Sequence, residues 1–317
     1  MLSRIAESLY WLARYMGRAE DTARILDVNY YLMLEQGPSD YEFDWEPILQ
    51  MAGEQEHFRK VYGEATSETV FEFLAFRRDN PSSIVQCVAK ARENARTIRD
   101  FLSRETWEDI NSFYHRVLHF VPEQEFAAGP HRFCDEIRFG CHRYYGARDA
   151  TLPHDEGWDF LRIGASLERA ETTARLAGMQ FPKPVSEPLV EAHLSHQWMA
   201  ILRSVGAYAA YRRQYRSVIE PDRVAEMLIL HPEHPRSVRF NTTELQTGLR
   251  SISGAQTGSY ATEAERLTGK VLEGLRYTTM DEILAGGLHP YTNNLLRSYR
   301  AIGDHIGRSY FYYSGIS

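Results

Sequence analysis

The chain has little of what most recognisable chemistries require. Its 317 residues include three cysteines, Cys87, Cys134 and Cys141, in no paired framework. That excludes a disulfide scaffold and fits a reducing cytoplasm. No apolar run approaches the ~20 residues needed to span a bilayer. The first ten residues carry charges at Arg4 and Glu7 and lead into an amphipathic stretch, which is not the pattern of a signal peptide. Positive charge is in deficit: 36 Lys and Arg against 43 Asp and Glu leave a net charge of −7. This argues against a general nucleic-acid or anionic-membrane binder. The basic run Arg212-Arg213-Gln214-Tyr215-Arg216 is a local exception and reads as a solvated helix face. There is no nucleophile elbow, Walker loop, G-x-G-x-x-G or H-E-x-x-H, so the chain offers no nucleotide-binding motif of its own and the sequence names no cofactor. His131, Cys134, Cys141 and His142 fall along one expected helix, but their spacing matches no zinc motif, and no metal site is assigned.

What is present is a helical phrase written twice. Gly17-Arg18-Ala19-Glu20-Asp21-Thr22-Ala23-Arg24-Ile25 returns 151 residues later as Glu168-Arg169-Ala170-Glu171-Thr172-Thr173-Ala174-Arg175-Leu176, with six of nine positions identical. Trp45–Tyr62 matches Trp198–Tyr215 at an offset of 153, through Ile48/Ile201, Leu49/Leu202, Gly53/Gly206 and Arg59/Arg212. At an offset of 154, Asp79-Asn80-Pro81-Ser82-Ser83-Ile84 matches Glu233-His234-Pro235-Arg236-Ser237-Val238. The period far exceeds that of solenoid arrays, so the expectation is a domain-scale duplication, residues 1–150 and 151–317, forming one unit about a pseudo-two-fold axis. The ends of the two halves align poorly.

The fold class is all-α. Ser3 to Gln36 has no Pro and a single Gly, with apolar residues at helical spacing and Gly37-Pro38 as a stop. On a 100° wheel, Leu9, Leu12, Tyr15, Met16, Ala19, Ala23 and Leu26 share one face within about 60°, opposite Arg14, Gly17, Arg18, Asp21 and Arg24. Asn80-Pro81 and His234-Pro235 read as an N-cap followed by Pro at the first helical position. Asp155-Glu156-Gly157-Trp158 reads as the cap of the second motif helix. No alternating stretch longer than about five residues suggests a strand. The alanines at 19/23 and 170/174 would let two central helices approach closely.

The repeated charges admit three explanations. Glu20 with Arg24 and Glu171 with Arg175 are i,i+4 pairs worth about 0.2–0.5 kcal/mol each when exposed. That is too little to account for Arg18 and Arg169 as well. A buried ion network could fix how the halves dock. A helical bundle also hosts polar sites. In such a site Arg14, Arg18, Arg24, Arg169 and Arg175 would hold a carboxylate or phosphate, and Glu20, Glu168 or Glu171 would serve as base or cation ligand. Asn80, Ser83, Arg236 and Ser237 sit at expected helix starts, which are also ready anion seats.

The strings Leu9–Glu20 and Gly157–Glu171, together with Asn80–Ile84, Pro235–Val238 and Tyr211-Arg212-Arg213, resemble the bacterial alpha-E domain family, named for its helices and its Glu-Arg motif. The resemblance spans essentially the whole chain. Two departures stand out: Gly17 replaces the usual Glu of the first motif, and Ala165 replaces an Arg common in the second. Glu168-Arg169 is therefore the better candidate for function, with Glu20 taking the lead in the first copy. The family has no known function but is typically encoded beside or fused to a circularly permuted ATP-grasp protein, near transglutaminase-like proteins. The resemblance thus implies partners of those two kinds and a peptide-like substrate. The role implied is in forming or processing amide bonds, with ATP chemistry left to the partner. A non-catalytic helical scaffold and a metal-dependent hydrolase using Glu20, Glu168 and Glu171 are the competing readings.

Overall fold

The computed structural model describes residues 1–36, 43–179, 187–216, 218–256 and 258–312. Those residues form sixteen α-helices, and there is no strand among them. The first eight are α1 (Ser3–Gln36), α2 (Glu46–Ala52), α3 (Gln55–Val61), α4 (Ser67–Ala75), α5 (Ile84–Thr97), α6 (Arg104–Val117), α7 (Pro122–Ala127) and α8 (His131–Thr151). The next eight are α9 (Glu156–Ala177), α10 (Glu187–Ser204), α11 (Tyr208–Tyr215), α12 (Pro221–Ile229), α13 (Val238–Ser253), α14 (Glu263–Tyr277), α15 (Met280–Gly286) and α16 (Leu288–Ile306). No helix among the described residues is long and apolar enough to cross a membrane.

The helix expected over Ser3–Gln36 is α1, and its expected stop, Gly37-Pro38, lies outside the described residues. Asp155 caps α9 by accepting the Gly157 and Trp158 amides. The other two expected caps fall three residues early. Ser83 and Ser237, not Asn80 and His234, are the N-caps of α5 and α13, accepting the Gln86 and Phe240 amides respectively. A hydroxyl at those positions reaches the third amide of the helix. Asn80 instead takes the Ser82 amide on its Oδ1, closing a turn ahead of the helix.

Two long helices, α1 and α9, pack directly on each other at the centre. Around α1 lie α4, α5 and α8; around α9 lie α12, α13 and α16. The outer helices then close in parallel fashion, α5 on α6 and α6 on α8 in one case, α13 on α14 and α14 on α16 in the other. Each central helix is also met from the far side: α10 and the π-helical turn Gly307–Phe311 lie on α1, and α2 lies on α9. Gly53 and Gly206, after α2 and α10, both take left-handed backbone, at φ +73° and +69°, where a side chain would be strained.

Both central helices are therefore buried along most of their length, with α1 leaving Tyr31 and Leu34 exposed near its end. The apolar face of α1 is buried through Leu12, Met16, Ala19 and Ala23, and so is its opposite face at Arg14 and Asp21. In α9, from Asp159 to Ala177, just Arg162, Arg169 and Arg175 stay partly exposed. The closest approach between the two helices uses a glycine. A Cβ at Gly164 would lie 2.3 Å from the Tyr10 carbonyl oxygen. Gly164→Ala is expected to push the helices apart and cost about 1–3 kcal/mol, read as an earlier urea midpoint by circular dichroism. An unchanged midpoint would contradict this contact.

Candidate functional site

The polar face of α1 meets α9 in a dense set of ion pairs centred on Glu168, which is 1 % exposed. Arg14 Nε donates to its carboxylate at 2.7 Å, and Arg18 grips it through Nε at 2.7 Å and Nη2 at 3.0 Å. Arg14 also bonds Glu171 through Nη2 and the Tyr10 hydroxyl through Nη1 at 3.0 Å. Burial acts to raise the Glu168 carboxyl, but the charges and hydrogen bonds of Arg18 and Arg14 overcome it and hold the group at about 2. A carboxylate so fully engaged suits an anchor better than a proton acceptor.

A second set centres on Glu20, which is fully buried. Arg24 Nη2 lies 2.9 Å away, Arg236 reaches the same carboxylate from the turn before α13, the Tyr145 hydroxyl donates at 3.1 Å, and His142 stands at 3.3 Å. Burial again opposes ionisation, yet Arg236, His142, Arg24 and Arg169 together hold Glu20 well below the usual carboxylate range. Arg236 also bonds Asp21 Oδ1. Arg169 lies 5.2 Å over the Tyr145 ring, and its Nε is buried with no hydrogen-bond partner. Across the pair of central helices, Arg18 has Glu168, whereas Arg169 faces a chain whose residue 17 is glycine.

Beside the first set a cleft of about 200 Å³ reaches solvent. Its charged walls are Arg18, Asp21, Glu168 and Arg175. Thr22, Thr172 and Ser82 contribute hydroxyls, and Ile25, Ala52 and Leu74 form the apolar side. Arg175 is the under-partnered cation: its nearest carboxylate oxygen, on Glu171, is 3.8 Å away. Burial lowers the Arg175 pKa despite the Glu171 and Glu168 charges, so a further anion beside it would be favourable. Asp21 differs from the glutamates. Its Oδ2 is buried without a partner, and burial raises its carboxyl in spite of Arg236.

The structure thus brings Arg14, Arg18, Glu168, Glu171 and Arg175 into one set and Glu20, Arg24, Arg169 and Arg236 into the adjoining one. Asn80, Ser83 and Ser237 stand apart as helix-start residues, all fully buried. Asn80 Nδ2 donates to the Phe73 carbonyl, and the Ser83 and Ser237 hydroxyls donate to the Arg77 and His231 carbonyls. Their side-chain polar atoms are already used within these turns, and one amide of each helix, that of Gln86 and of Phe240, is capped. The four Cys/His residues of α8 do not converge. Cys134 and Cys141 are buried thiols pushed up by desolvation, His142 turns to Glu20, and His131 pairs with Asp27 and Asp135. Arg138 lies against both of those aspartates and already supplies a cation. Asp21, Thr22 and Thr172 are polar cleft residues to which the sequence assigned no site role. The signal for Asp21 was its place on the polar face of α1, one turn beyond Arg18.

The low Glu168 pKa has a sign that can be tested. In the unfolded chain a glutamate titrates near 4.3, above its folded value of about 2. Its contribution to stability is therefore complete above pH ~4.3 and is lost as the pH falls toward 2. Thermal melts of the parent and of Glu168→Gln should differ most at neutral pH and draw together across that window. A gap independent of pH would contradict the arrangement.

A family model described as "a predicted alpha-helical domain with a conserved ER motif", Alpha-E, matches residues 1–311. An uncharacterized protein of Mycobacterium bovis and two of Mycobacterium tuberculosis are each 26% identical over 324 residues, covering 94% of this chain and 35% of the relative. The chain thus spans about a third of the length of the curated relatives it matches. No solved structure matches. With its helices throughout and Glu168-Arg169 at the meeting of its two central helices, the chain belongs to the Alpha-E family.

Proposed function

We propose that this protein binds a small carboxylate- or phosphate-bearing group of a peptide-like ligand in the Arg18–Arg175 cleft. It would do so as the helical component of a system that forms or processes amide bonds, with the ATP-dependent step left to an ATP-grasp partner. The observation that carries the binding reading is Arg175: a guanidinium lining a solvent-reaching cleft with its nearest carboxylate at 3.8 Å. Glu168 is already engaged by Arg14 and Arg18, and Asp21 by Arg236, so of the charged groups on the cleft wall Arg175 is the one left without a close counter-ion. The volume is below the range of about 300–1,000 Å³ for drug-sized ligands, which suits the end group of a chain or a compact metabolite. The relatives contain the matched segment as 35% of a longer chain, in keeping with a unit that works beside other modules.

We also read residues 1–150 and 151–317 as two copies of one helical unit. The three sequence blocks and the matched surroundings of α1 and α9 support this. A scaffold reading is favoured by one specific observation, the clamping of Glu168 across α1 and α9, and it describes the deep part of the same network. The hydrolase reading has less support, because Glu20, Glu168 and Glu171 each already face arginines.

Arg175→Gln tests the proposal, since it removes the charge from the cleft and leaves the Glu168 clamp in place. The expected result is near-parent melting with at least about tenfold weaker binding, the loss of one charge-assisted contact. The probes are inorganic phosphate and an acetylated dipeptide with a free C-terminal carboxylate, titrated by NMR, with the dipeptide amide as comparison. Product formation with the ATP-grasp partner should fall in step. Parent-like binding and activity would overturn the reading.

A further inference from the structure

Resting on that binding reading, we infer that the protein carries the same pocket twice, that Arg236 plugs one copy, and that Ser82 leaves the other open, so that residue 82 decides access to the Arg18–Arg175 cleft. The two positions are equivalent in local structure as well as in sequence offset. Ser82 directly precedes Ser83, the cap of α5, and Arg236 directly precedes Ser237, the cap of α13. Each cap hydroxyl donates to the carbonyl six residues upstream, Arg77 in one turn and His231 in the other. Each cap amide donates to the carbonyl three residues back, on Asn80 and on His234. Helix α5 lies on α1 as α13 lies on α9. A side chain at either position therefore leaves the backbone from the same kind of turn, toward the same pair of central helices.

What those side chains do differs. The long arm of Arg236 crosses to α1 and bonds Glu20 and Asp21. The α9 residues in the corresponding places, 151 positions on, are Glu171 and Thr172, and Thr172 lines the open cleft. Ser82 also lines that cleft, but its short side chain ends on Glu54 Oε1 at 3.3 Å instead of crossing the space. Glu171 does not need a cation from the turn, because Arg14 supplies one from α1. The counterpart of Arg14 is Ala165, so Glu20 has no such helper and takes Arg236. One exchange thus accounts for both sides: an arginine on the central helix frees the turn to carry a serine, and the serine leaves a cavity. The cavity keeps Arg18 and Arg175 beside Glu168 and Asp21, and Arg175, whose nearest carboxylate oxygen is 3.8 Å away, is the group placed to take an anion.

The test is to close the open copy. Ser82→Arg should keep the parent melting temperature and bind inorganic phosphate and the carboxylate dipeptide at least tenfold more weakly by NMR titration. If Ser82→Arg melts early, Ser82→Gln, shorter and uncharged, is measured instead with the same expectation. Binding at parent affinity in the well-folded variant overturns the inference. The two readings fail differently. If Arg175→Gln loses binding while the residue 82 variant keeps it, the plug is wrong and the cleft stands. If both variants bind like the parent, the cleft itself is wrong.

Discussion

One carboxylate organises the centre of this protein. Glu168 lies between α1 and α9, almost without exposure, and is held by Arg14 and Arg18 from the opposite helix. A buried charge without its partners is costly, so each of these three residues constrains the other two. The constraint sets the register of the two central helices, and everything outside them is packed in that register. The close contact of Gly164 on the Tyr10 backbone belongs to the same register, since a helix pair allowed to slide would not tolerate it.

The network is not closed, and the gaps in it carry the functional interest. Gly17 leaves Arg169 without the carboxylate that Arg18 finds in Glu168, and Tyr145 takes its face instead. Arg175 has one distant glutamate. Asp21 has an oxygen with no partner. Two of these three, Arg175 and Asp21, lie on the wall of one cleft. A network serving stability alone would be expected to satisfy its buried groups, whereas here Asp21 Oδ2, Arg24 Nε and Arg169 Nε are buried without a partner.

The long helices and their polar faces were legible because a 3.6-residue period and a twice-written phrase are properties of the chain itself. The α1 span, the Asp155 cap of α9 and the placing of Arg14 and Arg18 on one polar face of α1 follow from residue type and spacing. The helix starts at Ser83 and Ser237 were misplaced by three residues because Asn-Pro and His-Pro carry a cap signal as strong as the serines that follow. Choosing between them depends on which side chain reaches a free amide in three dimensions. Asn80 and the two serines looked like an anion seat for the same reason, and only the carbonyls of Phe73, Arg77 and His231 show that their donors are spent.

By itself, the sequence determined that the protein is helical, that its charges recur at a fixed offset, and which residues share a helix face, because all three depend on neighbours along one chain. Tertiary structure alone decided which carboxylate meets which arginine. Glu168 lies 154 residues from Arg14, and Glu20 lies 216 from Arg236; no local rule connects them. It also decided where the cleft lies, since a cavity is the space left when separate helices have packed. That space depends on the reach of one side chain, arginine at 236 and serine at 82, from two turns of the same design.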